Sequence, residues 1–264
     1  MIDIHHHLLW GLDDGASSLE TSLAMARIAA EDGITHIVCS PHANGRYVYD
    51  PPVIAEKIRQ LQSLLDYEGV ALKLGRGCDF HLSYENILEA KQEPTRYSIN
   101  GLGYLLVEIP DYGVAPGLSE VFYELRLAGL TPILTHPERN PTLQADRQRL
   151  IEWLRGGMLV QVTAGSLLGQ MGKRAASMAH ELLANRWVHF LATDAHNTTS
   201  RPPRMREAYE MVAEKYGSDY AHLLCVSNPL AVFSGSRLQP QLEPLSLYDN
   251  LEPKSWWQRM MGRR

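Results

Sequence analysis

Short apolar segments alternate with segments of helical periodicity along most of the chain, and this alternation limits the fold more than any other feature. Strand-like apolar runs occupy residues 2–5, 35–40, 71–77, 104–109, 131–135, 158–162 and 188–193. Helical spacing follows them, most clearly near 117–128, 142–155, 173–185 and 204–216. Repeated strand–helix units with wholly apolar strands indicate a parallel sheet covered by helices.

The first two helices have recognisable starts. Ser17 and Glu20 form a capping-box pattern before an apolar face, and Gly33 marks the end of that helix. Pro51 is a suitable first residue for the second helix. About seven such units predict an α/β fold that closes as a TIM-like (β/α)7 barrel. An open doubly wound sheet is the alternative, although the chain lacks a glycine-rich dinucleotide fingerprint.

We predict two regions, a barrel over residues 1–238 and a proline-containing tail over 239–264. The tail has three prolines and no convincing period. It ends WWQRMMGRR, and with Lys254 it carries four basic residues beside two tryptophans. This composition suits peripheral contact with a membrane surface. A strip packed on its own barrel, or on a neighbouring subunit in a homo-oligomer, is an equal alternative.

Composition excludes several classes of protein. The net charge of −5 argues against nucleic acid as a partner, because phosphate-binding surfaces are usually basic. Three widely spaced cysteines indicate neither a disulfide framework nor a cysteine zinc motif. No apolar run approaches the length of a membrane span. We therefore expect a cytoplasmic protein.

Polar residues able to bind metal follow nearly every predicted strand. Two side chains two residues apart on a strand point the same way, so His5 and His7 can share one ion, as can Asp194 and His196. The carboxyl ends of parallel strands meet at one edge, which would gather these residues. The other candidates at strand ends are Asp14, His42, Asp79, Glu108, His136 and the phosphate-capable Arg139.

Each of these residues taken alone would more often be structural. An Asp before Gly15, for example, is usually a turn residue. Taken together at one end of a barrel, unpaired groups of this kind would be desolvated and would repel one another. Imidazole nitrogens mixed with carboxylate oxygens suit zinc, manganese or iron rather than calcium. The pattern therefore predicts a metal site.

The stretches IDIHHHLLWGLDDGA, ITHIVCSPH, THPER and ATDAHN followed by SRPP resemble the PHP (polymerase and histidinol phosphatase) superfamily. More narrowly, they resemble the bacterial manganese-dependent protein-tyrosine phosphatases of capsule and exopolysaccharide operons (CpsB/YwqE type). The resemblance covers roughly residues 1–233. It implies a distorted (β/α)7 barrel and a cluster of three metal ions, expected to be Mn²⁺, although Zn²⁺ or Fe would also suit the ligands.

The resemblance also implies roles for individual residues. One ion would be bound by His5, His7, Asp79 and Asp194, a second by Asp79, Glu108 and His136, and a third by Asp14, His42 and His196. Arg139 and Arg201 match the phosphate-binding arginines of the family. One departure is Asp79, where the family usually has Glu; a shorter carboxylate still bridges two ions but can change their spacing.

These residues predict hydrolysis of a phosphomonoester by a metal-activated hydroxide, without a covalent intermediate. The resemblance implies that this ester is phosphotyrosine. His42 or His196 is the candidate for assisting proton transfer, although a histidine bound to metal is not free to act as an acid. The resemblance implies that the substrate is the phosphotyrosine tail of a bacterial tyrosine kinase. A cysteine phosphatase is excluded because six residues separate Cys39 from Arg46, where that chemistry needs five.

Two other functions stay open at this point. The first is a phosphatase for a small metabolite such as histidinol phosphate, since metals and arginines alone do not distinguish the two substrates. The second is a non-catalytic regulatory or binding module, which should have lost ligand residues. This chain keeps all of them.

Overall fold

The computed structural model describes residues 1–110, 113 and 115–248. Its strands are all parallel to their neighbours, in the order β1-β2-β4 in one sheet and β3-β5-β6-β7-β8-β9 in the other. Within the described residues they are β1 Ile2–His6, β2 His36–Cys39, β3 His42–Ala43, β4 Lys73–Arg76, β5 Asp79–His81, β6 Tyr104–Glu108, β7 Thr131–Thr135, β8 Leu159–Thr163 and β9 Phe190–Ala192.

The two sheets form one distorted (β/α)7 barrel. We call each of the seven strand positions around the barrel a stave. Strands β2 and β3 are successive parts of one stave, and β4 and β5 are successive parts of the next. These two staves stay hydrogen-bonded across the break, because Gly77 N donates to Cys39 O at 2.8 Å. The first and last staves meet where His7 N donates to Ala195 O at 3.0 Å. The α/β barrel predicted from the alternation is therefore confirmed.

Helices follow the strands as the alternation predicts. The described helices are α1 Leu19–Glu31, α2 Pro51–Tyr67, α3 Tyr84–Gln92, α4 Leu118–Leu127, α5 Pro141–Ala145, α6 Gln148–Arg155, α7 Ala164–Leu167, α8 Lys173–Ala184, α9 Arg206–Tyr216, α10 Ser218–His222 and α11 Asn228–Ser234. No helix among the described residues is both long and apolar enough to cross a membrane.

Local predictions failed at two helices. The cap of α1 is Ser18 rather than Ser17, because the Ser18 hydroxyl accepts from Thr21 N at 3.2 Å. The segment predicted as one helix over 142–155 is two helices, α5 and α6. They separate at Asp146, whose extended backbone ends α5.

The hydrophobic core has two layers. An inner cluster includes Ile2, Ile4, Leu106, Ile133 and Phe190, which come from four strands and fill the barrel. A larger outer cluster lies between the strands and the helices. Burial of these side chains is the main favourable contribution to folding.

A register shift in β1 lets two sets of side chains face the barrel interior. Apolar side chains fill the barrel, and polar side chains lie above them at the mouth, the end where the strands finish. Ile2 and Ile4 lie in the inner cluster, and the pairing of β1 with β2 shifts between Asp3 and His6. A bulge of this kind changes which side chains face inward. His5 and His7 therefore point into the barrel above Ile4, although strict alternation from Ile2 would direct them outward.

Residues 239–248 pack on the barrel floor, the end where the strands begin. Leu247 is buried, and its carbonyl accepts from Arg155 Nε at 2.8 Å. The Leu245 carbonyl accepts from Trp187 Nε1 at 2.9 Å, and Leu245 N donates to Asn185 O. The last sixteen residues, with the two tryptophans predicted to contact a membrane, lie outside the described part.

His189, at the barrel floor, predicts a loss of stability in acid. Val160 N donates to its Nδ1 at 3.1 Å, and burial lowers the pKa of His189 from 6.5 to about 4. The unfolded chain therefore takes up a proton between pH 6.5 and pH 4 that the folded chain does not. The free energy of unfolding should fall through that window by up to roughly 3 kcal/mol from this residue.

His189→Asn keeps an acceptor for Val160 N without the titration. We expect urea unfolding to show a smaller loss of stability between pH 7 and pH 4.5 for this variant than for the wild type. Exposed His222, changed to Asn, is the control and should leave the loss unchanged. An identical pH dependence for wild type and His189→Asn would contradict the prediction.

Candidate metal centre

The contact between the first and last staves brings together the polar residues at the end of β1 and those that follow β9. Asp194 N donates to His5 O at 2.9 Å. The buried Asp3 carboxylate accepts from Thr193 N at 3.0 Å and also from the Thr193 hydroxyl. These bonds fix the backbone on both sides, so the side chains of His5, His7, Asp194 and His196 face one another.

All nine predicted ligands lie in this cluster at the mouth. They form four overlapping groups, in each of which the candidate ligand atoms lie within 4.8 Å of one another. The groups are His5–Asp79–His136, His5–His7–Asp194, His42–Asp79–Glu108 and His7–Asp14–His42–His196. These groups differ in detail from the three ligand sets implied by the resemblance. For example, His7 also belongs to the group that contains Asp14, and Asp79 also belongs to the group that contains His42.

Asp79 lies at the centre of the cluster and tests whether the site fits cations. Its Oδ2 lies 3.1 Å from His42 Nδ1 and 3.3 Å from His5 Nε2. Both carboxylate oxygens are buried, and neither has a hydrogen bond of acceptable geometry among the described residues. A buried carboxylate without hydrogen bonds is costly unless a cation compensates it. The donor set therefore fits bound metal.

The charge state of Asp79 agrees with this interpretation. Burial alone would raise the pKa of Asp79, but the neighbouring imidazoles of His5 and His42 outweigh it and hold the pKa well below its usual range. The carboxylate is therefore ionised. An ionised carboxylate at the centre of an imidazole cluster is a suitable metal ligand.

The outer part of the cluster opens to solvent. Asp14 is 52% exposed, and its Oδ1 lies 3.5 Å from both His42 Nε2 and His196 Nε2. The rings of His7 and His196 have centroids only 3.9 Å apart. A hydrogen-bonding contact with His196 is the largest cause that lowers the pKa of Asp14. A substrate would therefore approach from the side of Asp14.

Two residues behind the cluster orient the histidines of β1. Asp13 Oδ2 lies 2.7 Å from His7 Nδ1 and accepts from His42 N at 3.1 Å. Gln161 Oε1 lies 3.0 Å from His5 Nδ1. These contacts leave each Nε2 directed at the cluster, and such partners commonly fix the orientation of metal-binding histidines.

Neither supporting role was predicted. Asp13 is not among the nine predicted ligands. Gln161 was passed over, although an amide in the middle of the buried strand LVQVT was a usable signal. A buried polar residue inside an apolar strand requires a partner, and in a barrel with its site at the strand ends that partner can be a functional group.

The two predicted phosphate-binding arginines border the cluster. Arg139 and Arg201 are part-buried, and both donate to Oδ2 of Asp194. They approach from different loops, one after β7 and one after β9. Asp194 therefore links the cluster to two guanidinium groups, each of which can bind phosphoryl oxygens in a two-pronged geometry.

Two of the predicted ligands hold an unusual backbone conformation. His136 has φ of 33° and Asp194 has φ of 53°, both in the left-handed region. Residues other than glycine rarely adopt this region, and each instance costs about 1 kcal/mol. Such strain at two strand ends indicates that the position of these side chains has been selected over local stability.

Two nearby histidines stay outside the four groups. His6 is buried, and neither ring nitrogen has a hydrogen bond among the described residues. His81 Nδ1 lies 3.8 Å from Glu108 Oε2 at the edge of the cluster.

Cys39 is fully buried, and burial raises the pKa of its thiol, which opposes nucleophilic chemistry there.

Gln161 gives a test of the support behind His5. Gln161→Met removes the contact with His5 Nδ1 while roughly preserving volume, and we expect metal affinity to fall by about 10-fold to 100-fold. Gln161→Glu keeps an acceptor oxygen and should lose much less. Competition with a chelating dye would measure both affinities. Equal affinities in Gln161→Met and the wild type would contradict the orienting role.

Two known proteins are similar to this chain over most of its length. Tyrosine-protein phosphatase YwqE of Bacillus subtilis (strain 168) is 33% identical over 225 residues, which are 85% of this chain and 88% of that protein. Tyrosine-protein phosphatase CpsB of Streptococcus pneumoniae is 30% identical over 241 residues, covering 87% of this chain and 96% of that protein.

A solved structure gives the same result. A crystal structure from work on YwqE and CpsB, described as metal-dependent tyrosine phosphatases, superposes with a TM-score of 0.86 at 32% identity, covering 93% of this chain and 98% of that chain. Residues 1–234 match the family described as capsular polysaccharide synthesis, CpsB/CapC. The chain therefore belongs to the CpsB/CapC family.

Proposed function

We propose that this protein is a metal-dependent protein-tyrosine phosphatase, a phosphoric monoester hydrolase that acts in the control of capsule or exopolysaccharide synthesis. The observation that carries the proposal is the buried, hydrogen-bond-free carboxylate of Asp79 within a cluster of nine candidate ligands, next to two arginines. The relatives that share this fold over most of their length are named as tyrosine-protein phosphatases.

The nine clustered residues would hold the ions: His5, His7, Asp14, His42, Asp79, Glu108, His136, Asp194 and His196. We propose a three-ion cluster of Mn²⁺, with Zn²⁺ or Fe as the alternatives that the same nitrogen and oxygen donors accept. When bound, the ions supply Lewis-acid chemistry: they lower the pKa of water towards neutrality and neutralise charge on the phosphoryl group.

The arginines bind and orient the phosphate. In the structure both guanidinium groups donate to Asp194, which keeps them at the edge of the cluster while leaving further N–H groups on each. Arg139 and Arg201 would bind the non-reacting phosphoryl oxygens and stabilise the charge that develops on them. Because the two arginines come from different loops, they fix the ester's orientation as well as its charge.

His42 has its ring nitrogens directed at the cluster on both sides, Nδ1 at Asp79 and Nε2 at Asp14. This geometry favours the ligand role over the role in proton transfer that we also predicted for it. Tyrosinate is a good leaving group and needs little help from an acid. We propose as physiological substrate the phosphotyrosine tail of a bacterial tyrosine kinase, met in the cytoplasm.

The central experiment compares two phosphoesters. Chelator-stripped protein would be assayed on a phosphotyrosine peptide and on histidinol phosphate, with and without added Mn²⁺, Zn²⁺ or Fe²⁺. We expect metal-dependent turnover of the peptide. Asp194→Asn, which keeps the size and tolerates the left-handed backbone, should lower kcat/KM by at least about 100-fold, since it removes a ligand charge and the partner of both arginines.

Preference for histidinol phosphate would keep the metal centre but replace the substrate. Turnover of neither ester by metal-loaded protein would favour a regulatory module. Undiminished activity in Asp194→Asn would contradict the site itself. Metal content per chain, measured on each sample, separates loss of metal from loss of chemistry.

We further propose that residues 239–264 act as a tail whose basic, tryptophan-containing end contacts anionic membrane. The support is the packing of residues 239–248 on the barrel floor, through Leu247 and the bond from Trp187 to Leu245. The last described residues before the basic end therefore lie at the end of the barrel opposite the metal cluster. A contact made there would leave the mouth free.

Truncation after Tyr248 keeps the packed segment and removes the basic end. We expect the truncated protein to lose co-sedimentation with phosphatidylserine vesicles while its turnover of a soluble phosphotyrosine peptide stays unchanged. Phosphatidylcholine vesicles are the control surface. Equal co-sedimentation of both proteins would dispose of the membrane contact, and a change in elution volume on truncation would favour a homo-oligomer instead.

A further inference from the structure

Tyr47 lies directly against the cluster, on a short loop after β3. Its ring is nearly parallel to the ring of His42, with an interplanar angle of 13° and a centroid separation of 6.0 Å. The His42 side chain is 14% exposed, and Asp14 beside it is 52% exposed. Tyr47 therefore lies on the open side of the cluster, where a substrate enters.

The loop holds Tyr47 in place with three contacts. Asn44 Oδ1 accepts from Arg46 N at 2.9 Å and from Tyr47 N at 3.0 Å, and Asn44 N donates to Tyr47 O at 3.2 Å. This is a closed Asx-type turn, which restricts the backbone of a loop that would otherwise be free to move. The ring is thereby presented in one orientation.

Arg46 also contacts the Tyr47 ring. Its guanidinium carbon lies 5.0 Å from the Tyr47 ring centroid, a cation–π contact. Among the described residues Arg46 forms no ion pair with a carboxylate. Tyr47 therefore has both a guanidinium and an imidazole as neighbours at the edge of the cluster.

We infer that Tyr47 is a specificity-determining residue that reads the phenyl ring of phosphotyrosine, an inference that rests on the proposed function. A phosphate bound at the cluster places its ester group towards the mouth. In phosphotyrosine a rigid aromatic ring follows the ester oxygen and reaches the level of Tyr47. In phosphoserine only one methylene group lies between that oxygen and the peptide backbone, so no ring is present to contact Tyr47.

The neighbouring tyrosine shows that this position is particular. Tyr49 belongs to the same loop, but it is buried, and its hydroxyl donates to Gly77 O at 3.0 Å. Tyr49 is therefore a structural residue. Val48, between the two, is 86% exposed and has no part in the proposed contact. The loop thus carries the proposed specificity residue, Tyr47, and next to it Val48, which serves as a matched control position.

The test uses Tyr47→Ala, Tyr47→Phe and Val48→Ala, assayed with Mn²⁺ on a phosphotyrosine peptide and on the same peptide carrying phosphoserine. An aromatic pair is worth enough to change kcat/KM by about fivefold to tenfold. We expect Tyr47→Ala to lose that factor on the phosphotyrosine peptide and less than twofold on the phosphoserine peptide. Tyr47→Phe keeps the ring and should retain the preference, as should Val48→Ala.

A second readout is independent of turnover. Binding of a peptide with a non-hydrolysable phosphonate analogue of phosphotyrosine, followed by calorimetry, should weaken by the same factor in Tyr47→Ala. Metal content per chain should stay at the wild-type value. An equal fall on both peptides, or a loss of metal, would overturn the inference, because Tyr47 would then act only by supporting His42. Unchanged discrimination in Tyr47→Ala would overturn it as well.

The inference and the proposed function fail in different ways. If the wild-type protein does not hydrolyse the phosphotyrosine peptide, the proposed function fails before any variant is compared. If the wild type prefers the phosphotyrosine peptide and Tyr47→Ala keeps the same preference, only the role of Tyr47 fails.

Discussion

The contact between the first and last staves is the interaction on which the rest of the site depends. The Asp3 carboxylate binds Thr193, and the backbones of His5 and His7 bond to residues 194 and 195. Residues nearly two hundred positions apart in sequence thereby share one rim. Without this closure, the groups that contain Asp194 or His196 would lose those members, and the arginines would lack Asp194 as a common partner.

The closure also concentrates charge in a place where water is scarce. Asp79 and Asp194 are almost completely buried, and several imidazoles surround them. In the folded chain, His5 and its neighbours hold both carboxyl groups ionised against the effect of burial. The outer supports, Asp13 behind His7 and Gln161 behind His5, keep the rings aimed inward. The centre is thus a polar network built into the top of an apolar barrel, and its parts depend on one another.

Sequence alone was sufficient for the architecture and for gathering the ligands, because both follow from periodicity. Strand β7 was predicted with its observed bounds, and the nine candidate ligands lie in one cluster as expected. The helix boundaries that depend on competition between neighbouring residues were not predicted correctly. Choosing Ser18 over Ser17 as a cap is a matter of one hydrogen bond, and the break at Asp146 is decided by one residue's backbone. The register shift in β1 and the contact of Gln161 arise from tertiary packing, which no local pattern encodes.

The left-handed backbone of His136 and Asp194 bears on how the sequence of such a fold can change. Glycine would remove the backbone cost at either position. A related protein that no longer needs the metal site would therefore gain stability by replacing His136 or Asp194 with glycine. The His and Asp side chains at these two sites are therefore present at a local backbone cost that glycine would avoid. Across a set of homologues, glycine at both positions would mark the lineages in which the barrel survives as a scaffold only.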